Sequence, residues 1–203
     1  MTRPPTSTLI LASASASRAA MLRAAGLIIE TDPADIDEAT LKTRMLNDGE
    51  DAGVIAQQLA TEKALSVTTR HPGKLVLGAD QVLAFREKLF SKASDLAEAR
   101  RQLQELRGQQ HKLTSAACLA CDGQPVWQGA ASTALTMRTF TDAYLDDYLA
   151  KAGDAILGSV GCYQFEGLGA QLFERIDGDY FTVLGLPLLQ VLGALRKRGV
   201  LQA

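Results

Sequence analysis

The sequence predicts a mixed α/β protein, with helices packed around an elongated, curved sheet. Short apolar runs of strand length alternate with segments whose apolar residues recur at helical spacing. Asp122–Gly123 and Asp177–Gly178 each separate two apolar runs, as hairpin turns do. The composition, 47% hydrophobic and 22% charged over 203 residues, is that of a globular chain with enough material for a sizeable core, read as a single domain over residues 1–203.

Leu9–Ala12 reads as a strand, and Ser13–Arg18 as a hydroxyl-rich turn into a helix that Gly26 stops. Leu27–Thr31 is a second short strand. The acidic stretch Asp32–Glu38 follows as a loop, since Pro33 and the crowded carboxylates disfavour regular structure. From Asp51 to about Thr69, Val54, Ile55, Leu59, Ala60, Ala64 and Leu65 mark a helix. Leu75–Ala84 is apolar on both sides of Gly78-Ala79-Asp80, the pattern of a buried central strand carrying one carboxylate, and Leu89–Lys92 returns beside it.

Asp95 and Glu98 open the next helix with capping-box spacing, and Gly108 ends it. His111–Cys121 and Pro125–Thr139 form a long hairpin. Thr141 caps a helix through Ala150, and the glycines at 153, 158, 161, 167 and 169 mark a loop region. Leu172–Ile176 and Tyr180–Val183 read as a second hairpin, and Pro187 starts a final helix.

Charge and cysteine content narrow the function classes. With 21 basic and 23 acidic residues the net charge is -2, so no broad basic face exists to hold a nucleic-acid polymer. A single nucleotide needs only a few placed cations. Three cysteines, Cys118, Cys121 and Cys162, do not make a disulfide framework, and the Cys118/Cys121 pair lies in an apolar run with no second pair to complete a zinc site. Met1–Thr8 lacks the features of a signal peptide, and no apolar run approaches membrane-span length. The expectation is a cytoplasmic protein without membrane contact.

Several residues have types suited to phosphate chemistry. Ser13, Ser15, Ser17 and Arg18 lie where a strand enters a helix, so hydroxyls, helix N–H groups and a guanidinium can converge on an anion; equally, one serine can simply cap the helix. Asp37, Glu38 and Asp80 offer the oxygen ligands that a hard divalent cation takes alongside substrate phosphates. Asp80 requires either a cation or a hydrogen-bond network, because an unpartnered carboxylate in an apolar strand is costly to bury. Taken alone, Lys63 and Lys92 read as snorkelling side chains, and His111 as a strand-end polar residue.

In order, these segments resemble the Maf family, also called septum-formation-inhibitor-like nucleotide pyrophosphatases, across about residues 9–198. The shared pieces are Leu-Ala-Ser-x-Ser-x-x-Arg at Leu11–Arg18, Asp37-Glu38, Glu62-Lys63-Ala64, Gly78-Ala79-Asp80, Lys92, Leu106-x-Gly108-x-x-His111, Glu166-Gly167-Leu168-Gly169, and Gly178–Phe181 running on to Gly185–Leu188. The resemblance implies a fold similar to inosine-triphosphate pyrophosphatases, two lobes around a central cleft, and hydrolysis of a nucleoside triphosphate between its α- and β-phosphates.

It further implies that Asp80 is the proton acceptor and that Glu38, with Asp37, helps to hold Mg²⁺ or Mn²⁺. Arg18, Lys63 and Lys92 would embrace the triphosphate, Ser13 and Ser15 would add contacts to it, and the protein would be a homodimer. Ser17, Gln81 and Glu166 match the positions that choose the base. Gln81 and Glu166 agree with the 7-methyl-GTP type, whereas Ser17 fits neither that pattern nor the dTTP/UTP pattern and supplies no aromatic stack. Ala16 replaces a common Pro, and Ser91-Lys92-Ala93 a common Gly-Lys-Pro. A non-catalytic nucleotide-binding regulator of cell division is the rival reading. A Rossmann-type dehydrogenase is disfavoured, because no G-x-G-x-x-G follows the first strand.

Overall fold

The computed structural model describes residues 8–202. Met1–Ser7, part of the stretch read for a signal peptide, and Ala203 lie outside the described residues. Seven strands form one mixed sheet: β1 (Leu9–Leu11), β2 (Ile29–Thr31), β3 (Val76–Phe85), β4 (Lys88–Phe90), β5 (Gln110–Cys121), β6 (Gln124–Met137) and β7 (Phe173–Asp177). Their order is β2-β1-β3-β5-β6-β7, with β4 paired to β3. The helices are α1 (Ala16–Ala24), α2 (Glu38–Asn47), α3 (Ala52–Thr68), α4 (Leu96–Leu106), α5 (Asp142–Ala152), α6 (Tyr180–Val183) and α7 (Leu188–Lys197). Among the described residues no helix is long and apolar enough to cross a membrane.

By internal contacts the chain divides into two compact units. The first takes the chain up to Asp80, Ser115–Ala131 and the segment from Gly185 onward. In it β1 pairs in parallel with β2 (Leu9 opposite Ile29) and with β3 (Ile10 opposite Val76). All three β1 residues are buried, as a strand flanked on both sides requires. The Ser15 hydroxyl caps α1 by accepting the Arg18 N–H, and Asp51 caps α3 by accepting from Gly53 and Val54. Arg70, just beyond α3, forks onto Asp32 through two 2.9 Å hydrogen bonds, and His71 adds a third at 2.8 Å. Those partners hold the Asp32 carboxyl at about 2 and pin the start of the acidic loop.

The second unit comprises Gln81–Thr114 and Ser132–Leu184. Its core gathers Leu83 and Phe85 of β3, Leu103 and Leu106 of α4, Leu135 and Met137 of β6, and Leu145 and Tyr148 of α5. The Asp95 carboxylate accepts the Glu98 N–H, as the spacing predicts; the Glu98 carboxylate reaches back one residue further, to the Ser94 N–H.

Three local expectations need correction. Tyr180–Val183 is not a strand but the single helical turn α6, because Asp179 caps it by accepting the Thr182 N–H, and β7 pairs instead with β6 in antiparallel register. The glycine-rich region is not all loop, since Gly153–Gly158 and Leu168–Leu172 wind into 3-10 turns. The acidic loop stops one residue early: Glu38 is the first residue of α2.

Candidate functional site

The first unit concentrates charge around the end of β1 and the middle of β3. Arg18, in the first turn of α1, donates through Nε to the Gly185 carbonyl at 2.8 Å and through Nη1 to Ser13 Oγ at 3.1 Å. Ser13 Oγ also accepts the Ser15 N–H at 3.2 Å, so the turn predicted as a phosphate cradle is preorganised around a fixed guanidinium. The first turn of α1 contains no acid, which leaves the positive end of the helix unneutralised. Ser17 lies on the same turn, partly buried.

Asp80 lies in β3 and is 7% exposed, and Lys63 of α3 is buried beside it at 8%. The Lys63 ammonium stands 2.6 Å from Asp80 Oδ1 and 3.0 Å from Glu38 Oε1. Gly78 makes this approach possible: a Cβ there would lie 2.1 Å from the Ala60 carbonyl oxygen and 2.6 Å from the Ala64 nitrogen, so α3 rests on bare backbone. One helical turn of α3 thereby aims Lys63 at the acid two residues further along β3.

Two more cations feel both carboxylates. Burial pulls the Arg18 pKa down, while the charges of Asp80 and Glu38 push it back up. Lys42 responds in the same way, lowered chiefly by burial and raised by Asp80 and Glu38. It lies four residues after Glu38 on α2, hence on the same helix face. The sequence reading has no role for Lys42; its only signal there is the i,i+4 spacing, visible once α2 is known to begin at Glu38.

Asp37 is placed differently from its neighbour. Its carboxylate accepts the Thr40 N–H at 3.0 Å and caps α2, which holds its pKa below the usual range. Its immediate work is to fix the helix that carries Glu38 and Lys42. Glu38 and Asp80 converge on the Lys63 ammonium, and both carry oxygen atoms of the kind that Mg²⁺ or Mn²⁺ prefers as ligands. Among the described residues no group of three or more His, Cys, Asp or Glu forms a metal cage. Two carboxylates fit an ion that completes its shell with water and phosphate oxygens.

The second unit carries the remaining candidates. The Gln81 amide donates to the carbonyls of Thr182 (2.9 Å) and Val183 (3.0 Å), tying β3 to α6. Glu166 and Lys92 are exposed, and neither forms an ion pair among the described residues. His111 is buried rather than a polar strand end, with Nε2 2.8 Å from the Tyr163 hydroxyl and its ring against Tyr163 and Phe173. In the first unit Cys118 is buried and Cys121 half-buried, both as free thiols in β5.

In the first unit of this α/β protein a buried lysine thus bridges two carboxylates, and a serine-arginine turn opens α1. Residues 8–198 match the Maf family of Maf-like proteins, and the chain belongs to that family. It is 48% identical to nucleoside triphosphate pyrophosphatase 1 of Jannaschia sp. (strain CCS1), over 96% of this chain and 98% of that one. It is 47% identical to the nucleoside triphosphate pyrophosphatase of Caulobacter vibrioides (94% and 96%) and 44% identical to the 7-methyl-GTP pyrophosphatase of Brucella abortus (93% and 95%). The solved structure of a HAM1 protein from Coxiella burnetii aligns with a TM-score of 0.41 at 16% identity, covering 64% of this chain and 73% of that one.

Proposed function

We propose that this chain is a nucleoside triphosphate pyrophosphatase that hydrolyses the α–β phosphoanhydride of 7-methyl-GTP or a related nucleotide, giving a monophosphate and pyrophosphate. The observation that carries this reading is the Lys63 ammonium held between Glu38 and Asp80, two carboxylates whose charges also act on Arg18 of the Ser13–Arg18 turn. The names of the three relatives support it, and the 7-methyl-GTP preference draws on the Brucella relative together with Gln81 and Glu166. A purely binding, regulatory role is not favoured, because binding alone needs no acid poised beside the phosphate cations.

In this reading Arg18, Lys42 and Lys63 bind the triphosphate, with Lys92 assigned to the same task, and Ser13 and Ser15 orient it through hydroxyl and backbone groups. Asp80 holds the attacking water and accepts its proton as the water oxygen bonds to phosphorus; the α–β bridging P–O bond breaks and its electron pair leaves on pyrophosphate. The cations stabilise the charge that accumulates on the leaving group. Glu38 and Asp80 would hold a divalent cation, whose chemistry is to neutralise phosphate charge and polarise the reacting phosphoryl group. Asp37 positions Glu38 through the α2 cap. Ser17 lies beside the cradle, while Gln81 and Glu166 read the base.

The direct test is pyrophosphate release from 7-methyl-GTP, GTP, CTP, UTP and dTTP, with and without Mg²⁺ or Mn²⁺. Metal-dependent release with 7-methyl-GTP preferred is the expected result; silence across the panel would refute the enzyme. The same reading places the protein in the cytoplasm, supported by three free thiols, and a periplasmic signal in cell fractionation would refute that. It also makes the protein a homodimer on the strength of the family resemblance. A solution mass near 21.7 kDa would remove the dimer.

A further inference from the structure

We propose that Tyr180 is the aromatic platform on which the substrate's base stacks, an assignment that rests on the pyrophosphatase reading above. Tyr180 opens α6, the single turn capped by Asp179. The Gln81 amide donates to the carbonyls of Thr182 and Val183 in that same turn. The Tyr180 ring lies 6.1 Å from Phe165, whose chain neighbour is Glu166. Both base-reading residues are therefore linked to Tyr180, Gln81 through the α6 backbone and Glu166 through the Phe165 ring.

The ring is available for stacking. Tyr180 is 48% exposed, while Phe165 and Phe181 beside it are only partly so. Its contacts with Phe165 and Phe181 are T-shaped, at 64° and 70°, so neither neighbour lies flat on it. The Glu166 loop is folded tightly on itself: the Gly167 N–H bonds the Gln164 carbonyl, and a Cβ at residue 169 would lie 2.5 Å from that oxygen and 2.8 Å from the Gln164 nitrogen. The carboxylate is thus presented from a constrained turn.

A base needs partners for its edge and for its face. Glu166 and Gln81 have edge chemistry, and Ser17 supplies no face. A 7-methylguanine ring carries positive charge, so an electron-rich phenol face and a nearby carboxylate favour it together. Exposed aromatic residues are common on protein surfaces without any ligand, so the test must separate stacking from mere exposure.

The experiment measures kcat and KM for 7-methyl-GTP and UTP in wild type, Tyr180→Phe and Tyr180→Leu, with thermal melts to confirm folding. The expected result is a Tyr180→Leu KM for 7-methyl-GTP raised about 10- to 100-fold, the range of base–aromatic stacking, with kcat nearly unchanged, a smaller rise for UTP, and Tyr180→Phe close to wild type. An unchanged KM in a folded, active Tyr180→Leu enzyme overturns the platform while leaving the pyrophosphatase intact. Wild-type protein silent on every nucleotide overturns both. Should the Leu variant not fold, Tyr180→Gln gives the same two readings.

Discussion

The Lys63 ammonium lies 2.6 Å from Asp80 in a setting where both side chains are almost fully buried. An isolated charge of either sign would be costly there, so each side chain is the partner that the other's burial requires. Glu38, 3.0 Å away and half-exposed, gives the lysine a second partner on the open side. The proposed proton acceptor thus lies against a cation that the proposed chemistry also requires.

Replacing Asp80 with Asn removes the proton acceptor but keeps a polar group of the same size beside Lys63. The expected outcome is a fall in kcat of about 10²- to 10⁴-fold, the usual worth of a positioned base. Nucleotide affinity measured by calorimetry should stay within a few-fold of wild type. Turnover at the wild-type rate would remove Asp80 from this role.

Gly78→Ala tests the packing that creates the pair. The added methyl would lie 2.1 Å from the Ala60 carbonyl oxygen and 2.6 Å from the Ala64 nitrogen, both atoms of the α3 backbone, so no flexible side chain can yield. Overpacking of this kind costs about 1–3 kcal/mol, and the displaced helix carries Lys63 away from Asp80. Chemical denaturation should show the lost stability, and activity of the folded fraction should fall with it. A variant as stable and active as wild type would contradict the close approach of α3 to β3.

Lys42 shares a helix face with Glu38, and its charge interacts with both site carboxylates. If it contacts phosphate, Lys42→Gln should raise KM for every triphosphate by about 10-fold, as loss of one charge-assisted hydrogen bond implies. The effect should not depend on the base. An unchanged KM would make Lys42 a helix-surface residue that only neutralises Glu38.

Glu166→Gln removes a charge from an exposed loop tip and leaves the backbone turn intact. The ratio of kcat/KM for 7-methyl-GTP over UTP should fall by about 10-fold, because the amide no longer complements a cationic base. Equal ratios in variant and wild type would take Glu166 out of base selection.

The parts of this architecture legible in the sequence are those governed by local rules. The strand-turn-helix at Leu9–Arg18, the central strand around Asp80, the Asp122–Gly123 hairpin and the caps Asp95 and Thr141 each depend on residues a few positions apart. Helix α2 escapes such a reading because it buries only Met45 and presents no apolar stripe, and Lys42 stays hidden with it. Helix α6 escapes because Tyr-Phe-Thr-Val has strand composition, while one capping carboxylate decides the outcome. The role of Gly78 is invisible without its partner, since only the packed α3 shows what a side chain there would strike.

His111 makes the second unit sensitive to acid. Its Nε2 bonds the Tyr163 hydroxyl, its Nδ1 is buried without a hydrogen-bond partner, and burial pushes its pKa from 6.5 down to about 4. The folded value lies below the unfolded one, so between about pH 6.5 and 4 the unfolded chain binds a proton that the folded chain refuses. Stability from the neutral ring is complete above pH 6.5 and declines as pH falls through that window, by about 3 kcal/mol at its lower end. Urea midpoints measured from pH 8 to pH 4.5 should therefore drop more steeply in wild type than in His111→Phe, which cannot be protonated. Parallel slopes in the two proteins would show that other groups, chiefly carboxylates, govern the acid transition.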